Sequence, residues 1–92
     1  MNNKTEYAQT IALKGLHYIL DDDNRQAHFF HMSGATLDEL KNSIVDPDFL
    51  GGILDFLLND EKQLISFCKD YNIDPPDLTV ARRCFPGAQS DY

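Results

Sequence analysis

Basic residues are scarce in this chain: 8 Lys and Arg stand against 15 Asp and Glu in 92 residues, a formal charge of −7. Duplex binding draws its affinity from cations at phosphates, so nucleic acid is excluded as the expected partner. Cysteine is nearly missing as well. Cys68 and Cys84 are too few for a disulfide scaffold, and neither sits in a Cys-x-x-Cys pattern. No charged, apolar and small-residue cleavage series opens the sequence, so the expected compartment is the reducing cytoplasm. Long apolar runs are absent too. The most apolar stretch, Phe49 to Leu58, is broken by Gly51, Gly52 and Asp55, and it is about half the ~20 residues a membrane helix needs. Ser33, Ser43 and Ser66 have no glycine-rich elbow around them. Gly51-Gly52 lies inside a helical pattern, where paired glycines mark close packing instead of a phosphate loop. Cys68 follows Phe67 on an apolar face and reads as a core thiol. These absences point to a protein that is not an enzyme and carries no cofactor.

Helix signals fill the chain. Thr5 can cap a first segment whose small and apolar residues, Ala8, Ile11, Ala12, Gly15, Leu16 and Ile19, keep amphipathic spacing. Asp21, Asp22 and Asp23 end it, Asp22 or Asp23 can cap a second helix, with Gln26 in capping-box position after Asp23, and Gly34 closes that helix. Thr36 with Glu39 forms a capping box ahead of the stripe Leu37, Leu40 and Ile44. Asp46-Pro47 pairs an N-cap with a proline at the first helical position. Asp60 with Gln63, and Asp74 before Pro75-Pro76, open the last two helices. The expected fold is therefore all-α, a single compact domain over 1–92 with helices near 5–20, 24–33, 37–44, 47–58, 61–71 and 75–85, and a C-terminal tail over 86–92.

A shift of 38 residues aligns Leu16 with Leu54, Leu20 with Leu58, Asp22 with Asp60, Phe29 with Phe67 and Leu40 with Leu78. Turn and cap positions agree as well, Gly34 with Asn72 and Thr36 with Asp74. Two related three-helix repeats, 5–46 and 47–85, are expected to share one core. Acidity is spread evenly between the halves, −3 over 1–46 and −4 over 47–92.

The succession Asp46-Pro47-Asp48-Phe49-Leu50, Leu54-Asp55-Phe56-Leu57-Leu58, Asp60-Glu61, Phe67, Ala81-Arg82 and Pro86-Gly87 resembles a small alphaproteobacterial family of unknown function, over about residues 10–87. That resemblance implies a compact all-helical protein of the bacterial cytoplasm and brings no catalytic or binding residue with it. It also implies an aliphatic pair where Cys84 and Phe85 stand before Pro86.

Several residues carry two readings. His28 and His31, three apart with Asp21 to Asp23 nearby, could hold a metal, but zinc wants three or four converging groups and helix histidines are the simpler account. The aspartate triplet reads as caps, because no EF-hand glycine or terminal glutamate follows. Arg82 and Arg83 either meet the dipole of the last helix or contact a partner. Asp55 is expected either on an exposed stripe with Asp48, Gly51 and Gly52, or near a crossing of helices at the repeat axis, where it accepts a hydrogen bond from His17 or caps a neighbouring helix. The fourth helix is apolar on most sides, so it should lie at the centre, and any part of Phe49 or Phe56 left uncovered would face a partner. The expected function is a non-catalytic helical protein-interaction module whose contact candidates are Phe49, Phe56, Arg82 and Arg83, with an unidentified cytoplasmic protein or a second copy as partner and no membrane. The alternative is a small enzyme or metal-binding protein using the His28 and His31 region.

Overall fold

The computed structural model describes residues 3–34, 36–43 and 46–85. Its elements are α1 (Asn3–Leu20), α2 (Asp23–Ser33), α3 (Leu37–Ser43), α4 (Pro47–Leu58), α5 (Glu61–Tyr71) and α6 (Pro75–Arg82), with no strand among the described residues. The all-α class is thus observed, with a radius of gyration of 12.4 Å. Ile44, Pro86, Gly87 and the expected tail lie outside the described residues.

Local side-chain chemistry sets most boundaries. Asp22 caps α2 by accepting from the Arg25 N–H at 2.9 Å. Of the two aspartates expected to cap, Asp22 does so, and the Asp23–Gln26 box is not formed because the Gln26 N–H goes to the Asp22 carbonyl at 2.9 Å. Thr36 and Glu39 form the full reciprocal box, at 2.9 and 3.2 Å. Asp46 accepts from Asp48 N–H at 3.0 Å, and Asp60 from Lys62 and Gln63 N–H at 3.1 and 3.3 Å. Gly34 (φ 73°) and Asn72 (φ 56°), which are equivalent under the 38-residue shift, both end their helices in the left-handed conformation.

Three ends differ from expectation. α1 starts at Asn3, so Thr5 is an interior residue; nothing in Asn3-Lys4-Thr5-Glu6 breaks a helix. Asp74 holds the N-cap position of α6 but makes no side-chain cap bond. Pro75 and Pro76 remove the N–H groups at the first two helical positions, and the Asp77 N–H already binds the Asp74 carbonyl at 2.9 Å. α6 stops at Arg82, and the N–H groups of Arg83, Cys84 and Phe85 turn back to the carbonyls three residues before at 3.0–3.2 Å.

α4 lies at the centre, packed on α1, α5 and α6. Leu50, Ile53, Leu54 and Leu57 are buried to 2 % exposure or less. α1 can approach it closely because Gly15 lacks a side chain: a Cβ there would stand 2.8 Å from Leu57 Cδ1 and 3.1 Å from Ile53 Cγ2. Phe29 and Phe67 are both buried, as are Leu16, Leu54, Leu40 and Leu78, whereas Leu20 and Leu58 are half-buried. The two halves differ in their third helices. α6 packs on α1, α4 and α5, while among the described residues α3 makes no comparably broad contact with any helix. Phe85 fills the site expected to hold an aliphatic residue and is buried, with its Cβ 3.1 Å from where a Gly51 side chain would begin.

Candidate functional site

The backbones of α2 and α4 stand apart, and aromatic rings bridge the gap. Phe29 of α2 meets Phe49 at 6.0 Å and Phe56 at 5.3 Å between centroids, both edge-on. His28 adds an edge contact to Phe56 at 5.2 Å. Above this layer lies a groove of about 690 Å³ between the C-terminal part of α2 and the length of α4. Its apolar wall is Phe29, Met32, Phe49, Phe56 and Leu58. Met32 is 59 % exposed, an unusual position for a flexible thioether in a chain with two methionines. Asp46, Asp48 and Asp55 stand on the rim, and no Lys or Arg among the described residues lines the groove. A smaller depression continues it past Phe56 and Met32 toward Asp60 and Glu61.

Gly52 forms part of the groove lining. A Cβ at Gly52 would meet no atom within 4 Å among the described residues. Its neighbour Gly51 is the opposite case. There a Cβ would stand 2.8 Å from Arg82 Nη1 and 3.0 Å from its Cζ. One glycine therefore admits α6, and the other leaves the groove open where a larger side chain would have space. The spacing Phe49, Gly52, Phe56 places all three on one side of α4, and Met32 follows Phe29 at the same interval on α2. That coincidence of intervals was the available sequence signal for Met32 and Gly52, both missed as site residues.

The four contact candidates separate. Phe49 and Phe56 come together in the groove, each half-buried. Arg82 is a correction: it is only 9 % exposed, and its guanidinium donates to Asp55 through Nε at 2.6 Å and Nη2 at 3.0 Å and to the Phe85 carbonyl through Nη1 at 3.2 Å. It joins α6 to α4 instead of facing a partner. Arg83 is exposed at the C-cap of α6, where its charge meets the helix dipole.

The Asp55–His17 bond is not formed, because Asp55 binds Arg82 and His17 Nδ1 pairs with the Tyr71 hydroxyl at 2.7 Å. The exposed stripe also loses Gly51, which is buried under Arg82. Around His17 the structure assembles a second polar cluster. Tyr18, Phe67 and Tyr71 pack edge-on or tilted, and the Arg25 guanidinium lies 3.8 Å over the Tyr18 ring. Burial, with a smaller contribution from Asp21, raises the Tyr71 phenol above its ordinary value. Tyr7, though about half exposed, is raised by partial desolvation of its phenol and then by Asp77, whose carboxylate accepts from its hydroxyl at 3.3 Å. Cys68 lies buried in the core, and that burial raises its thiol above the ordinary value, with Asp74 and Asp77 adding to the shift. Among the described residues no three His, Cys, Asp or Glu side chains converge as a metal site would require, so His28 and His31 find no third ligand there. No helix among the described residues is long and apolar enough to cross a membrane.

The model of the family described as "Protein of unknown function (DUF3572)" matches residues 5–88, and the chain belongs to that family. No curated protein and no solved structure matches it.

Proposed function

For this member of the DUF3572 family, we propose a non-catalytic role as a helical module that binds another protein through the α2–α4 groove. The observation that carries the reading is Gly52 set among Phe29, Met32, Phe49 and Phe56. Glycine inside a helix costs about 1 kcal/mol against alanine. At Gly51 close packing accounts for that cost, but at Gly52 no described atom stands where a side chain would go. An open groove is what the missing side chain provides. Aromatic and methionine side chains around open space are the composition of contact surfaces that adapt to a partner helix. Two free thiols agree with action in a reducing cytoplasm.

The test uses two tagged baits, the natural chain and its Gly52→Leu variant, compared quantitatively in native extract. Leucine at 52 favours the helix and fills the groove, so the variant should fold with an equal or higher melting temperature and lose the partner held by the natural chain. Equal capture by both folded baits would refute the groove as the binding site.

A further inference from the structure

Resting on that reading of the groove, we propose that its occupant is a cationic amphipathic helix of another protein, about three turns long. Length follows from the walls. α4 has 12 residues and spans about 18 Å, and Phe49 to Phe56 covers about 10 Å of it, so an occupant meets both rings with apolar side chains at i, i+3 or i+4, and i+7. Charge selects among occupants. The rim carries Asp46, Asp48 and Asp55, and the depression continuing it adds Asp60 and Glu61. Asp55 is balanced by Arg82, and the N-termini of α4 and α5 offset part of the charge of Asp46 and Asp60. Asp48 and Glu61, in the first turns of the same two helices, share that offset but stay exposed, and among the described residues neither lining holds a Lys or Arg to answer the four carboxylates. A second copy of this chain brings −7 to an already acidic rim, and the segment Pro86 to Tyr92 brings Asp91 and no cation. Lysine or arginine flanking an apolar stripe complements both rim and wall, speeds association and rejects acidic competitors.

The probe is a phage-displayed library of 16-residue helical peptides with unbiased charge, selected on the natural chain and counter-selected on Gly52→Leu. Recovered peptides should carry net positive charge around an i, i+3/i+4, i+7 apolar stripe. A synthetic copy should shift the Met32 methyl resonance and weaken by about tenfold between roughly 50 mM and 500 mM salt. The Asp48→Lys/Glu61→Lys double variant, checked by its melting curve, should bind that peptide several-fold more weakly. Gly52-dependent peptides that are neutral or acidic, or a peptide indifferent to the double variant, overturn the cationic partner and leave the groove reading standing. Recovery of no Gly52-dependent peptide, or shifts confined to other faces, overturns both. A dimer that Gly52→Leu dissolves replaces the cationic partner with a second copy.

Discussion

Arg82 shows how one side chain can close this fold. Its fork reaches two oxygens of Asp55 on α4 and the carbonyl of Phe85 beyond α6, in the space left by Gly51. Asp55 is 60 % exposed and Arg82 only 10 %, so the ion pair itself contributes modestly, and the larger matter is a buried guanidinium that needs acceptors. Lysine cannot reproduce the fork; Arg82→Lys is expected to lower unfolding free energy by about 1–2 kcal/mol in urea titrations. Asp55→Ala should cost about 1–3 kcal/mol by leaving the guanidinium short of its acceptor. Unchanged midpoints in both would remove this role. Tyrosines give a second residue-scale expectation. Desolvation raises Tyr7 and Tyr71 above the ordinary 10.0, with Asp77 and Asp21 as the next causes. Because the unfolded phenols ionise first, their contribution to stability is complete below pH 10 and is lost as pH rises through the folded-state values. Absorbance titration at alkaline pH should show Tyr7 and Tyr71 ionising later in the native chain than in urea, a difference that Tyr7→Phe and Tyr71→Phe remove, with the melting temperature falling over the same range.

Adjacent glycines divide the tasks of α4. Successive helix positions point about 100° apart, so Gly51 faces α6 while Gly52 lines the groove. Gly51→Ala forces Arg82 and Phe85 to shift and should destabilise by about 1–2 kcal/mol despite its better helix propensity. Gly52→Ala should instead stabilise by about 0.5–1 kcal/mol. Calorimetric melting of the two variants should therefore move in opposite directions, and movement in the same direction would contradict the assignment. This pair also marks the limit of what the sequence discloses. The Thr36–Glu39 box, Asp46-Pro47 and the Gly34 stop are local chemistry within four residues, and they place their helix ends correctly. α6 instead ends in a tightened turn, the N–H groups of Arg83, Cys84 and Phe85 reaching back three residues while Arg82 holds the Phe85 carbonyl, and Asp74 makes no cap bond ahead of two prolines. Neither outcome follows from the residue type at the cap. Phe49 and Phe56 were legible as candidates because α4 is apolar nearly all round. Arg82 was misplaced because a charge late in a helix reads equally as dipole partner, surface contact or buried clasp.

Across the whole molecule, α4 is enclosed by α1, α5 and α6, and its remaining side opens onto the gap toward α2. The gap is floored with aromatic rings and rimmed with carboxylates on a chain of charge −7, which favours a cationic helix over a second copy. The most direct test is the alkylation rate of Gly52→Cys in a Cys84→Ser background, where Cys68 stays silent because it is buried with a raised thiol pKa. In the free chain, position 52 should react as fast as Thr79→Cys, an exposed control on α6. With the selected cationic peptide bound to this variant, its occupancy read independently from the Met32 methyl resonance, the rate at 52 should fall in proportion to the fraction occupied while the control is unchanged. A rate at 52 that stays the same at saturating peptide would contradict the groove as the site where this protein meets its partner.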